Sequence, residues 1–291
     1  MKPTVFIQAN DRQYLGAKIS AHSYRRHARD PQSFDVRILH TRDFPRLEDG
    51  RQTYVRGGEV VRWIPDDLQS FTPLRFAPPK LMGYAGLALV TDPDVFAVSD
   101  VGEAFRRDLG GKAISAVARP GRRRRPGYVA SSVMLLDCAK LRRWDLDRQL
   151  KEMFGHQFDY FDWMHLRLED ENTIGLLEPE WNDFDRLTPA TRLLHTTRRR
   201  TQPWKSGLPI DYDDQVRGLR GMLTRLRPRY GRHPDSNQEA VVFSLLAELV
   251  DSGEVTDEEL RSEMEANHIR HDAPRLIDRY RGWDVRLAFA A

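Results

Sequence analysis

Residues 85–90 read Ala-Gly-Leu-Ala-Leu-Val, and the run stops at Thr91-Asp92-Pro93-Asp94. A short stretch that is apolar at every position is a strand buried on both faces. Such strands lie in sheets covered by helices on both sides, which points to the α/β class. The start of the chain agrees. Val5-Phe6-Ile7 is a short apolar run, and residues 14–28 lack Pro and place Leu15, Ile19 and Tyr24 near one helical stripe. Phe34, Val36 and Ile38 then alternate with Asp35 and Arg37, as in a half-buried strand. This is a βαβ-like opening.

Further strands are expected at 113–118 and 128–136, with shorter ones at 173–177 and 192–195. Helices are expected at 100–107 and 141–154. Residues 41–80 are rich in Pro, Gly and charge and read mainly as loop, with a short strand near Val60-Val61-Arg62-Trp63. From Asp235 the pattern is helical. Ser236 is the expected cap of one helix, Gly253 ends it, and Thr256 with Glu259 fits a capping box for the next. No repeat or linker separates independent domains.

Composition narrows the classes. The 291 residues suffice for one large domain or two small ones. A 40% hydrophobic content with six Trp excludes a disordered chain. The single Cys138 excludes an internal disulfide and a multi-Cys zinc site. No run approaches the ~18 apolar residues of a membrane span. Met1-Lys2-Pro3-Thr4 leads straight into a strand, with neither the apolar core nor the cleavage site of a signal peptide. A soluble cytoplasmic protein is the expectation.

Asp92 and Asp94 lie just past the carboxyl end of the buried strand, where open α/β sheets place ligands. Two residues apart in an extended segment, their side chains face the same way, and Pro93 stiffens the pair. Two hard oxygen donors so placed suit Mg²⁺ or Mn²⁺, ions that also bind substrate phosphates. The same tripeptide is equally an ordinary turn leaving a strand.

The wider order of motifs resembles glycosyltransferase family 8 and its relatives, enzymes of the GT-A fold. Phe6-Ile7-Gln8-Ala9-Asn10-Asp11 and Ala21-His22-Ser23 match the family's start. Phe71-Thr72-Pro73-Leu74-Arg75-Phe76, Pro79, residues 83–89 and Asp92-Pro93-Asp94 then follow the family's Arg segment, Pro, strand and D-x-D motif. Residues 128–136 look like its second core strand. Ile174-Gly175-Leu176-Leu177 with Pro179, Trp181 and Asn182 resembles its G-x-L…WN element. Leu193-Leu194-His195-Thr196 with Gln202-Pro203-Trp204 resembles its late H-x-x-G-x-x-K-P-W element. The resemblance covers roughly residues 4–207. It implies a mixed, Rossmann-like central sheet flanked by helices in a nucleotide-sugar-binding and catalytic domain (1–207), followed by a mostly helical extension (208–291).

It further implies a metal-dependent hexosyltransferase using a nucleotide-sugar donor, a UDP-sugar being expected, with a glycan, lipid or protein as acceptor. Mn²⁺ or Mg²⁺ would be held by Asp92, Asp94 and His195. Arg75 would approach the donor, and Gln8 and Asn10 would meet base and ribose, Asn10 replacing the usual Asp. The late motif lacks the family Gly and is one residue longer. Gln202 stands where the family Lys meets the diphosphate, so Lys205 or one of Arg198–Arg200 would supply that charge, with Thr196 beside them. Asp159 or Asp162 would serve the chemistry at the sugar. Ala130 and Ser132 replace the family's Asn and Gly, so acceptor contacts do not carry over. The family retains anomeric configuration, which implies a front-face substitution.

Two other readings stand beside this one. A non-catalytic nucleotide- or sugar-binding relative would explain the altered late motif and Ala130. A nucleic-acid-binding protein is suggested by 39 Arg against seven Lys and by the Arg122–Arg125 run, which is otherwise an active-site loop or a solvated stretch. The near-balanced net charge of +3, and the lack of zinc spacing or an aromatic RNA-binding motif, speak against it. The helical tail remains open as acceptor side, membrane-surface contact or dimer interface.

Overall fold

The computed structural model describes residues 1–121, 126–211 and 228–289. The Arg122–Arg125 run and residues 212–227, at the start of the expected helical extension, lie outside the described residues. In chain order the strands are β1 (Thr4–Ala9), β2 (Asp35–His40), β3 (Thr53–Arg56), β4 (Glu59–Arg62), β5 (Leu87–Thr91), β6 (Val95–Ala97), β7 (Ile114–Arg119), β8 (Tyr128–Asp137), β9 (Ile174–Leu176), β10 (Asp183–Phe184) and β11 (Leu193–His195). The helices are α1 (Tyr14–His27), α2 (Pro78–Leu81), α3 (Gly102–Phe105), α4 (Leu146–Phe154), α5 (Tyr160–Met164), α6 (Ser236–Asp251), α7 (Asp257–Glu265) and α8 (Ala273–Tyr280).

The chain forms two compact units. The first comprises Met1–Asp183 with Ala190–Leu194, and the second Phe184–Pro189 with His195–Ala291. The division passes through β10 and β11.

The first unit is built on a six-stranded mixed sheet in the order β2-β1-β5-β8-β7-β9. β1 runs parallel to β2 and β5, and β8 runs antiparallel to β5 and β7. β1 is buried along its whole length, and β5 from Ala88 onward, as a doubly covered sheet requires. A small sheet, β10-β11-β6, adjoins the end of β5. α1 is fixed to it by Ser20, whose Oγ donates to the Val95 carbonyl at 2.6 Å, and by Ser23, whose Oγ accepts from the Ala97 N–H at 2.8 Å. Gly16 permits this approach: a Cβ there would meet the Pro93 carbonyl oxygen at 3.1 Å.

Residues 41–80 are more ordered than expected. They form the β3–β4 hairpin, a 3₁₀ turn at Thr72–Phe76 and α2. Gly57 and Gly58, at φ 62° and 80°, supply the left-handed turn that a two-residue hairpin loop needs. Tyr54 is buried against Trp63 and Tyr160. Pro73 and Pro78 sit in first turns, where the missing N–H costs nothing. Their composition hid the order because the same residues mark loops elsewhere. Phe76 packs between Trp144 and Trp163, with ring centroids 4.7 and 4.5 Å away, anchoring this segment in the core.

The second unit contains α6–α8. α6 is buried through Val242, Phe243 and Leu246, and α8 through Leu276 and Ile277. Arg270 ties them, donating to Glu239 at 2.7 Å and to both oxygens of Asp272. The cap of α6 is Asp235, which accepts from the Asn237 N–H, and not Ser236. The carboxylate wins because it favours the positive end of the helix more than a hydroxyl does. Thr256 caps α7 as expected, accepting from the Glu259 N–H at 3.1 Å. Among the described residues, no helix is long and apolar enough to cross a membrane.

Candidate functional site

The site begins where β5 ends. The Asp92 N–H donates to the Ser132 carbonyl on β8 at 3.1 Å, and its carbonyl accepts from the Val95 N–H at 3.2 Å. The backbone of the Asp-Pro-Asp segment is thereby held from both sides. The Asp92 side chain is buried, at 7% exposure. Arg75 grips it in a two-pronged ion pair, with Nε to Oδ1 at 2.8 Å and Nη2 to Oδ2 at 2.5 Å. Burial opposes the guanidinium charge, and the Asp92 carboxylate overcomes that opposition, holding the Arg75 pKa above its ordinary value. The remaining prong donates to Ser131 Oγ at 2.8 Å, and Ser131 donates to the Met164 carbonyl at 2.6 Å.

β6 starts one residue after Asp94 and pairs with β11, whose last residue is His195. Strand pairing therefore brings the histidine to the Asp-Pro-Asp turn. Asp92, Asp94 and His195 each offer one ligand atom, and the three atoms lie within 4.8 Å of one another. Donors ~2.1 Å from a common ion are at most about 4.2 Å apart. The three side chains would draw together around an ion to reach these distances. Two carboxylate oxygens and an imidazole nitrogen suit Mn²⁺ or Mg²⁺. A carboxylate oxygen can accept from a guanidinium and bind an ion at the same time. Arg75 cancels one of the two carboxylate charges. A divalent ion held there would add positive charge, the sign that attracts a diphosphate.

The other expected site residues are placed as follows. Gln8 is fully buried at the end of β1; its Nε2 donates to the Phe6 carbonyl and its Oε1 is buried without a hydrogen-bond partner. Asn10 donates to the Asp67 carbonyl and Ser70 Oγ and accepts from the Gln13 N–H, which makes it a local cap and tether. Asp159 caps α5, accepting from Phe161 N–H at 2.7 Å, and its other oxygen accepts from Gly58 N–H at 2.8 Å. Asp162 pairs with Arg167 at the surface. Thr196 and Gln202 are buried. Lys205 is 1% exposed, bonded to Asp211 at 3.0 Å and to the Asn267 carbonyl at 2.8 Å. Burial alone would raise the Asp211 pKa, but Lys205 and Tyr230 hold it below the usual carboxylate value.

Sequence reasoning missed Ser131 and Met164, because a strand serine and a helix-end carbonyl carry no motif. It also missed that Asn182 Nδ2 donates to Ser132 Oγ at 3.0 Å, joining the W-N element to β8. Cys138 is a buried thiol with its pKa pushed up to about 12, chiefly by burial. Asp159→Ala removes two acceptors of backbone N–H groups, and we expect a loss of about 1–2 kcal/mol in urea unfolding. Unchanged stability with lost turnover would instead assign Asp159 to substrate.

No family model matches the sequence, and no curated protein matches it. Solved structures do. The glycosyltransferase GlyE of Streptococcus pneumoniae TIGR4 matches with a TM-score of 0.50 at 16% identity, over 72% of this chain and 58% of that one. The present chain thus spans little more than half of GlyE. The galactosyltransferase LgtC, in complex with donor and acceptor sugar analogues, gives 0.48 at 16% identity, over 69% of this chain and 89% of that one. Mouse xyloside xylosyltransferase 1 gives 0.42 at 13% identity, over 67% and 97%. At such identities the likeness is one of architecture: the chain has the GT-A fold of the glycosyltransferases it is similar to.

Proposed function

We propose that this chain is a metal-dependent glycosyltransferase that moves a sugar from a nucleotide-diphosphate donor, a UDP-sugar, to an acceptor. The observation that carries the reading is the Asp92–Asp94–His195 cluster at the carboxyl end of β5. A divalent ion held there supplies positive charge to the departing diphosphate. Asp92, locked by Arg75, and Asp94, on the Pro93-stiffened turn, fix where that charge sits. The unpartnered Gln8 Oε1 is an acceptor suited to a base N–H. Asp159 and Asp162 already serve internal bonds. That favours retention by front-face substitution, with the leaving oxygen taking the acceptor's proton, over a covalent intermediate on either acid. A glycan, lipid or protein acceptor fits this chemistry equally.

The test is thermal unfolding with UDP, Mn²⁺ or both. At UDP about 100-fold above its dissociation constant, with Mn²⁺, the wild type should gain about 5 °C. Asp94→Ala should gain nothing. An equal gain in both removes the metal assignment.

One observation favours a second reading, a nucleotide- or sugar-binding relative without turnover. Lys205, a candidate for the diphosphate, is committed to Asp211 inside the second unit. Binding of UDP and Mn²⁺ with no donor cleavage would select it.

A further inference from the structure

The bonds around Arg75 form a directed chain: Asp92 carboxylate, Arg75 guanidinium, Ser131 hydroxyl, Met164 carbonyl. Each link has a defined polarity. The guanidinium has only donors, so Ser131 Oγ accepts from it. The single Ser131 proton is then directed to the Met164 carbonyl. That carbonyl lies at the end of α5, where helix geometry leaves the last C=O groups without intrahelical partners. Ser131 is 2% exposed and Arg75 is 9% exposed, so water does not compete freely for these bonds.

The three nitrogens of Arg75 bonded here lie in one plane. Two of them face Asp92 and the third faces Ser131. Fixing the third therefore fixes the rotation of the fork that orients the Asp92 carboxylate. Met164 Sδ lies 3.9 Å from the same Nη1 and fills the space beside it.

We propose that Ser131 is a positioning residue for the metal site, acting through Arg75 to hold Asp92 in its ion-binding orientation. It touches neither ion nor substrate. The inference rests on the metal-site reading above. Hydrogen-bond partners of metal ligands set the orientation of those ligands, and their loss typically costs about 10–100-fold in affinity.

The experiment is Mn²⁺ binding by the full chain, measured by calorimetry and by the paramagnetic resonance of free Mn²⁺, without substrate. Ser131→Ala should bind Mn²⁺ about tenfold more weakly or worse. Ser131→Thr, which keeps the hydroxyl, should stay within about twofold of wild type. Ser131→Cys keeps the shape with a weak donor and acceptor, and should lose affinity also; it decides the matter where the alanine variant does not fold. In an Arg75→Lys background, where the fork is gone, Ser131→Ala should add little, because coupled residues are not additive. Wild-type affinity in Ser131→Ala or Ser131→Cys overturns the proposal. So does a full additional loss in the Arg75→Lys background, which would place the effect of Ser131 elsewhere. A wild type that binds no Mn²⁺ overturns the metal-site reading itself, and this is distinct from wild-type binding that ignores Ser131.

Discussion

Arg75→Met is expected to destabilise the protein by about 3–5 kcal/mol, the range for removing one partner of a buried ion pair. Met is comparable in length and apolar, so packing survives better than charge. What is lost is the counter-ion of Asp92, a carboxylate whose side chain is 7% exposed. Ser131 would also lose its guanidinium donor, though it would keep its bond to Met164. The measurement is urea unfolding at pH 7 with an unchanged slope. The double variant Arg75→Met/Asp92→Asn should recover part of the loss, because the unpaired charge has gone with the partner. A loss below ~1 kcal/mol in the single variant, the value of an exposed pair, would contradict the buried geometry.

This result bears on how the site is used. In the proposed site Asp92 would serve both the Arg75 guanidinium and an ion, and the first is a folding contact. Replacing Asp92 would therefore strand Arg75 and blur loss of metal with loss of structure. Asp94 and His195 are the cleaner probes. Asp94 is half-buried on the turn, and His195 ends a strand held by β6.

The sheet was legible because its strands carry their burial in the sequence. Residues 85–90 are apolar at every position, and β5 is an interior strand of the sheet. The periodic helix at 14–28 and the Thr256 cap were equally plain. The hairpin of β3 and β4 was only half visible. Its Gly-Gly turn and charged flanks read as loop, while its stability comes from Tyr54 packing on residues far along the chain. The short β6 was not predicted, because its place in a sheet depends on pairing with β11, far along the chain.

The chemistry divides in the same way. Asp92, Asp94 and His195, whose ligand atoms lie within 4.8 Å of one another, were named from residue type and motif order. Asn10 and Asp159 share the residue types of binding groups, but they accept from backbone N–H groups. Capping and ligand binding draw on the same side chains, and sequence alone does not separate them. Lys205 shows the limit for charge. Its sequence position faces the expected phosphate, whereas its side chain is buried against Asp211. Ser131 had no signal at all, because its role depends on which guanidinium prong reaches it.

The second large effect concerns turnover. Transition-state charge on a leaving diphosphate is worth several kcal/mol to a bound divalent ion. Each 1.36 kcal/mol is tenfold in rate. Weakening the ion's site by removing one of three protein ligands should thus slow donor cleavage on the order of 10²–10³-fold. His195→Ala removes the imidazole while leaving the Arg75–Asp92 pair intact, so folding and chemistry separate. The most direct measurement is release of UDP from a panel of UDP-sugars, with Mn²⁺ and with a chelator, in wild type and His195→Ala. The account requires that the wild type release UDP with at least one donor. It also requires that the chelator abolish this, that added Mn²⁺ restore it, and that His195→Ala fall by that factor. Donor cleavage that is indifferent to the chelator and undiminished in His195→Ala would contradict it.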